Sequence, residues 1–248
     1  TCFAVCAPGA AQDTDPAGKA PDAQETEAVP AWKMKFDNLT PEKKQEYSQL
    51  ISQTSQLFNQ KRIFEALNKV IEAEAVFHEN PGALNLKGAC YVEFRDFEKA
   101  RQCFNEALAL APDSPNVLFN LVEMDFVTRQ WQDCEARIME LLPRIDPENS
   151  SMSRLVEYKL LLVKIKLGKM EEAEKLANKY DYLDDNPFYY YAQAAMAYHE
   201  DRLTDAERWL GSARRVFRNP AILSPWQDTL IEYGYIKSFY GTDLSEED

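Results

Sequence analysis

The side chains best suited to acid–base, nucleophilic or metal chemistry are few in this sequence. It contains two histidines, His78 and His199, which lie far apart in the chain. Neither has a nucleophile or a second ligand at helical spacing, although general acid–base catalysis and metal binding both need such groups to converge. Glycine-rich phosphate loops and paired metal-ligand motifs are also missing from the sequence. We therefore predict that the protein is not an enzyme and uses no cofactor or metal.

Three cysteines follow residue 30, at positions Cys90, Cys103 and Cys134. An odd number of cysteines cannot all pair, and their separations of 13 and 31 residues match no common zinc motif. The sequence therefore predicts buried, reduced thiols that pack as small apolar side chains.

The charged residues exclude some classes of partner. The chain has 28 lysines and arginines against 41 aspartates and glutamates, a formal net charge of −13. Much of this negative excess lies in residues 1–30 and in an acidic tail at 242–248. The sequence between them has no basic stripe that could bind phosphates. No run reaches the roughly 18 apolar residues that a membrane-spanning helix needs. We predict neither nucleic acid as a partner nor a membrane span.

The first 30 residues have no helical period and are rich in alanine, proline and acids. Such a composition buries too little apolar surface to offset the entropy of ordering, so it predicts a disordered leader. Residues 1–11 are apolar and end in small residues, as does the end of a secretory signal peptide. They predict export to a periplasmic or extracellular space, with cleavage near Ala11. The alternative is an alanine-rich tail of a cytoplasmic protein.

Residues 81–115 contain two helical periods that are broken at Asp96. Small residues in both periods allow the two helices to touch, and aromatic residues fill the space beside them. This segment resembles the tetratricopeptide repeat, with Leu84 where that family usually has tryptophan. The residues that match at the family's spacings are Gly88, Tyr91, Ala100, Phe104, Ala107 and Pro112.

The same pattern recurs along the chain. A small residue opens each second helix at Ala66, Ala100, Cys134, Ala173 and Ala206, in steps of 34, 34, 39 and 33 residues. The longer step predicts a longer loop around residues 146–153. Helix-opening pairs of a capping residue and proline occur at Thr40-Pro41, Asn80-Pro81, Ser114-Pro115, Asn186-Pro187 and Ser224-Pro225.

The predicted fold is all-α. The resemblance implies a right-handed α-solenoid of about five tetratricopeptide-type helix-turn-helix repeats over residues 31–241. A final amphipathic helix from Trp226 to Tyr240 would cap its last core, because a solenoid needs a terminal cover.

The resemblance also implies a concave groove lined by the first helix of each repeat. Positions seven residues apart on these helices share one face, and in this sequence many are aromatic. Exposed aromatic patches tend to mark partner sites, so we predict that the groove binds a protein or peptide partner. The predicted partner-binding residues are Phe58, Asn85, Phe119, Asn120, Phe126, Tyr158, Tyr191 and Tyr198.

These positions allow three interpretations. The first is a non-catalytic scaffold that holds an apolar or aromatic segment of another protein, for instance in envelope assembly. The second is a structural subunit that forms a homo-oligomer through the groove. In the third, the chain buries the aromatic stripe against its own leader or capping helix. The first two predict that alanine at Phe126, Tyr158 or Tyr198 affects stability less than alanine at the core positions Tyr91 and Phe104.

Overall fold

A computed structural model describes residues 29–237. These residues contain twelve α-helices and no β-strand. The helices are α1 (Ala31–Asp37), α2 (Pro41–Asn59), α3 (Ile63–Val76), α4 (Pro81–Glu93), α5 (Phe97–Leu110), α6 (Pro115–Val127), α7 (Trp131–Leu141), α8 (Ser150–Lys166), α9 (Met170–Ala177), α10 (Phe188–His199), α11 (Leu203–Val216) and α12 (Pro220–Tyr233). They divide into two compact units, residues 29–117 and 118–237, with the division inside α6.

Helices α2 to α11 form five helix-turn-helix pairs with the same turn. In each turn one residue has a positive φ between 57° and 72°, and its position recurs in the steps found for the small residues. The small residue of each pair lies five positions later and is fully buried. The five predicted repeats are therefore confirmed. The left-handed residues are Lys61, Arg95, Arg129, Gly168 and Asp201.

Local capping chemistry sets most of the helix starts. The Thr40 hydroxyl and the Asn80 amide oxygen accept hydrogen bonds from backbone N–H groups in the first turns of α2 and α4, and proline follows each cap. Helix α6 begins at Pro115 as predicted. Asn186 accepts a hydrogen bond from the backbone N–H of Phe188, the first residue of α10.

The predicted bounds of the last helix are wrong at both ends. Helix α12 begins at Pro220, where Asn219 accepts a hydrogen bond from the backbone N–H of Ala221. Pro225, predicted to open the helix, lies inside it. The helix ends at Tyr233 because Gly234 adopts the left-handed conformation, with φ of 96°.

Two further features complete the chain trace. The sequence pattern did not predict α1. The connection between α7 and α8, residues 142–149, is longer than those between α3 and α4 or α5 and α6, as predicted, and contains a 3-10 turn at Leu142–Arg144, but residues 150–153 of the predicted loop belong to α8. The connection between α9 and α10, residues 178–187, is longer still and was not predicted. The predicted leader, apart from residues 29 and 30, and the acidic tail lie outside the described residues.

The cysteines at 90, 103 and 134 are buried and unpaired, as predicted.

Close packing joins α4 to α5 in the second repeat. Phe104 is fully buried, and a Cβ atom added to Gly88 would lie 2.5 Å from its ring. Only glycine therefore permits this approach of the ring to the helix. Tyr91, predicted to fill the core beside Phe104, is instead only half-buried, with the Lys99 ammonium 5.4 Å from its ring centroid.

We expect Gly88→Ala to lower the free energy of unfolding by about 1 to 3 kcal/mol, because the new methyl overlaps the buried ring of Phe104. Gly211→Ala in α11 is the matched control. A Cβ atom there meets nothing closer than 3.7 Å, so alanine should stabilise the helix by about 0.5 to 1 kcal/mol. Chemical denaturation of both variants measures the difference. Two changes of the same sign would contradict the close approach at Gly88.

Candidate functional site

The eight predicted partner-binding residues are all buried. Seven of them are at most 8% exposed, and Asn85 is 9% exposed. The prediction that their side chains line an open groove is therefore wrong for the aromatic members. Only Asn85 lies on the wall of an open pocket, described below. The buried aromatic members are Phe58, Phe119, Phe126, Tyr158, Tyr191 and Tyr198; Asn120 is also fully buried.

Helix α12 and Tyr235, just beyond its end, cover four of these aromatic residues. The Trp226 ring centroid lies 5.3 Å from that of Tyr158 and 5.8 Å from that of Tyr191. Tyr233 approaches Phe126 at 6.1 Å. Just beyond the helix, Tyr235 stacks on Tyr198 at 5.3 Å. The chain thus buries this part of the aromatic stripe against its own last helix, as the third interpretation supposed. We call Phe126, Tyr158, Lys159, Tyr191 and Tyr198 the α12-binding face.

A buried group of charges joins α12 to this face. Lys159 of α8 is 1% exposed, and its Nζ lies 3.1 Å from Glu123 Oε1 and 3.6 Å from Glu232 Oε2 of α12. The same ammonium lies 4.3 Å from the ring centroid of Phe126. Two carboxylates therefore share one lysine in a site that excludes water. Taking these charges out of water is costly, and the ion pairs offset only part of that cost.

The pKa of Glu123 reflects this imbalance. Burial raises it from 4.5 to about 7, the Lys159 ammonium opposes the rise, and the Glu232 carboxylate adds to it. Burial alone would lower the pKa of Lys159, but Glu123 and Glu232 outweigh it and raise that pKa. Asp228 lines the same small cleft. Glu123 thus changes its charge near neutral pH while Lys159 stays cationic.

We expect the folded protein to gain about 1 kcal/mol of stability between pH 8 and pH 6 from Glu123 alone. The pKa of Glu123 is about 7 in the folded protein, against the ordinary value of 4.5 for the unfolded chain. Between these pH values the folded state holds a proton that the unfolded state has lost. Stability from this group therefore falls as the pH rises through that window. Urea titrations at both pH values measure the gain, and Glu123→Gln should remove it. An unchanged gain in the variant would assign it to other groups.

An open pocket lies in the first unit, residues 29–117. It has a volume of about 830 Å³ and is walled by α1, α2, the start of α4 and the start of α6. The wall is aromatic and aliphatic on one part and carries amides and hydroxyls on the rest. We call it the N-terminal pocket. Its lining includes Trp32, Phe36, Tyr47, Ile51, Ser52, Ser55, Asn85, Leu86, Asn116 and Val117, with Lys33 and Asp37 as its charged members.

Helix α1 supplies the part of this pocket that sequence reasoning missed. Phe36 packs edge-on against Tyr47 at 5.2 Å and against Phe77 at 5.4 Å, which fixes α1 on the first repeat. Trp32 lies one turn earlier and also lines the pocket. The spacing of four residues between Trp32 and Phe36 could have predicted this helix, because it places both rings on one helical face. Seven residues are too few for a periodic pattern to stand out.

Neither a metal site nor a membrane-spanning helix is found in the part of the chain that the structure describes. Between residues 29 and 237, no group of three or more histidine, cysteine or acidic side chains is arranged to hold a metal ion. In the same range no helix combines the length and apolar character that crossing a bilayer requires.

A family model and one solved structure agree with this architecture. The family model for the tetratricopeptide repeat matches residues 81–114. A solved structure of PilF from Pseudomonas aeruginosa is similar, with a TM-score of 0.56 and 15% sequence identity over 77% of this chain and 96% of that chain. A structure of Naa15/Naa10 bound to HypK-THB aligns with a TM-score of 0.39 and 17% identity, over 81% of this chain and 30% of that chain. No curated protein sequence matches the chain significantly.

The matched segment, the five equivalent turns and the likeness in fold to PilF all lead to one assignment. The matched residues 81–114 are α4 and α5, the pair in which Gly88 meets Phe104. The described residues thus form an all-α repeat fold, in which residues 81–114 match the tetratricopeptide repeat.

Proposed function

We propose that the protein is a non-catalytic interaction module that binds an apolar or aromatic segment of a partner protein in the N-terminal pocket. The observation that carries this proposal is the open pocket of about 830 Å³ between α1 and the first helices of the repeats. Ligand sites are concave and mostly apolar, with a few polar groups that fix orientation. Here the apolar part is Trp32, Phe36 and Ile51, and the amides of Asn85 and Asn116 are the orienting groups.

The size and charge of the pocket define the segment that fits. A helix of about 10 Å diameter fills roughly 120 Å³ per residue, so a volume of about 830 Å³ accepts roughly two turns. Lys33 and Asp37 cancel in charge, and the other polar groups of the lining are neutral. The pocket therefore favours a short, uncharged segment with aromatic or branched aliphatic side chains. No histidine or cysteine is among the described residues that line it, so its chemistry favours binding over catalysis.

Site-specific photocrosslinking tests this assignment. A benzophenone side chain placed at Ser52, which is exposed on the pocket wall, should form adducts with one partner protein in the native source. The same group at Asn68, exposed on α3 and outside the lining, is the control and should not capture that partner. An adduct with a second copy of the chain would favour the self-associating subunit instead. Equal labelling from both positions, or none from Ser52, would contradict the proposal.

A pair of variants on α1 adds a quantitative readout. Trp32→Ala should weaken capture of the crosslinked partner by about 1 to 3 kcal/mol, because a large aromatic residue on a pocket wall is a typical binding hot spot. Met34→Ala changes a side chain that is exposed on the same helix and does not line the pocket. Its affinity should match that of the unaltered chain. Equal losses in the two variants would place the effect in α1 itself and not in the pocket.

Export and a role in envelope assembly rest on residues 1–11 alone, which lie outside the described residues. Mass spectrometry of the protein from its native source tests both points. A mature chain that starts near residue 12 and separates with the envelope fraction would support export. A chain that retains residues 1–11 in the cytoplasmic fraction would contradict it.

A further inference from the structure

Helix α11 ends in a group of arginines whose charge the described residues leave largely unpaired. Residues 208–227 contain four arginines and no acid, in a chain whose net charge is −13. Arg208 lies 3.2 Å from Asp205, whose carboxylate also binds Arg202. The other three arginines are exposed and form no ion pair with a carboxylate among the described residues. We call Arg208, Arg214, Arg215 and Arg218 the arginine cluster.

Two guanidinium groups of this cluster converge on Gly211. Side chains of a helix point back toward its N-terminus, so those of Arg214 and Arg215 lie over the turn that contains this glycine. A Cβ atom added to Gly211 would lie 3.7 Å from Arg215 Nη1 and 4.0 Å from Arg214 Nη2. The Ser212 hydroxyl accepts a hydrogen bond from Arg215 Nη2, which orients that side chain. Because two cations this close repel each other, the position favours a carboxylate that both can bind.

The described part of the chain ends close to this cluster. Tyr235 stacks on Tyr198 at 5.3 Å, and the Tyr198 hydroxyl donates a hydrogen bond of 2.6 Å to Glu207 of α11. Glu207 shares a helical face with Arg214 and Arg218, which follow it by seven and eleven residues. The sequence beyond the described residues therefore starts beside the helical face that carries two of the arginines.

The acidic tail, residues 242–248, has the charge and the reach to cover the arginine cluster. It holds four carboxylate side chains, as many as the cluster has guanidinium groups. The cluster spans about 15 Å along α11, whereas the eleven residues after Lys237 can extend over roughly 35 Å. A single exposed ion pair contributes little. A short tether, however, keeps the tail at about millimolar local concentration, so several pairs can form together.

We propose that the arginine cluster of α11 is a docking site for the acidic tail of the same chain. The Arg214 and Arg215 guanidinium groups bind one tail carboxylate over Gly211, and the other arginines bind its neighbours. The site lies on the second helix of a repeat and is separate from both the N-terminal pocket and the α12-binding face. While docked, the tail keeps acidic segments of other proteins off this surface.

The surroundings of the cluster favour a short acidic segment over an extended polyanion. Asp205 and Glu207 directly precede it, and the net charge of −13 repels long anions such as nucleic acid or an anionic bilayer. The tail instead brings its four carboxylates within six residues, which matches the short extent of the cluster.

A photoreactive group in the tail tests the contact directly. The full-length chain carries a benzophenone side chain in place of Leu244, and mass spectrometry of proteolytic fragments locates the adduct. We expect an adduct within α11 of the same chain, with a yield that falls several-fold after Arg214→Glu. Lys175→Glu, which reverses an exposed cation on α9, is the matched control and should leave the yield unchanged. Salt at 1 M, where the Debye length is about 3 Å, should lower the yield as Arg214→Glu does.

Three outcomes would overturn this proposal. An adduct between two chains would make the tail of a second copy the occupant. An adduct outside α11, or one of equal yield in the Arg214→Glu and Lys175→Glu chains, would place the tail elsewhere. No adduct at low salt would mean that the tail leaves the cluster open.

Neutralising the tail gives a second test that leaves α11 unaltered. The full-length chain with Asp243→Asn, Glu246→Gln and Glu247→Gln keeps every residue of the cluster but loses most of the charge that competes for it. A fluorescent peptide of residues 238–248 should bind this chain about ten-fold or more tightly than the unaltered chain, whose own tail occupies the site. Equal peptide affinity for the two chains would contradict docking of the tail.

Discussion

Tyr158→Ala should lower the free energy of unfolding by about 3 to 5 kcal/mol, one of the two largest losses that we expect from single substitutions in this protein. The Tyr158 ring is fully buried and lies 5.3 Å from Trp226, 6.1 Å from Tyr191 and 6.3 Å from Phe188. Alanine would leave a cavity among three rings that α8, α10 and α12 hold in place. Chemical denaturation, followed by far-ultraviolet circular dichroism, measures the loss.

Two substitutions make this result specific. Tyr158→Phe keeps the ring and removes a buried hydroxyl that has no hydrogen-bond partner among the described residues, so it should be neutral or slightly stabilising. Tyr91→Ala removes a ring that is only half-buried and should cost about 1 to 2 kcal/mol. The repeat pattern alone predicts the reverse order for Tyr91 and Tyr158. If Tyr91→Ala proves the more damaging, Tyr158 stands in an open groove after all.

Lys159→Met should also lower the free energy of unfolding by about 3 to 5 kcal/mol at pH 8. The methionine fills the space of the lysine stem but removes the cation that lies beside the buried Glu123 carboxylate. The loss should shrink toward pH 6, because Glu123, whose pKa is already raised by burial, takes up a proton more readily when Lys159 is gone. Urea denaturation at the two pH values measures both effects.

The control for this prediction is Lys169→Met. Lys169 is largely exposed, and its partner Glu135 also binds Lys164, so this change should cost about 1 kcal/mol or less. Adding Glu123→Gln to Lys159→Met should recover part of the stability, since the uncompensated charge disappears. Similar small losses for Lys159→Met and Lys169→Met would show that water reaches the buried charges.

Local features of the sequence determined the repeat architecture. A helix start depends on a capping side chain and proline within about four residues, which is why Thr40-Pro41 and Asn80-Pro81 could be identified directly. The recurring small residues predicted the close contacts within each pair, and Gly88 against Phe104 confirms one of them. The buried state of the three cysteines followed in the same way from their number and spacing.

Tertiary packing decided which surfaces are open. A stripe of aromatic residues seven positions apart is compatible with an open groove and with a covered one, because its spacing fixes only the face of each helix. Whether α12 lies on that face depends on contacts such as Trp226 with Tyr158, which join residues 68 positions apart. Likewise, only the packing of Phe36 against Phe77 makes α1 a wall of the N-terminal pocket. Such distant contacts leave no periodic signal in the chain, so the sequence determined the repeats and the tertiary structure decided which face remains free to bind.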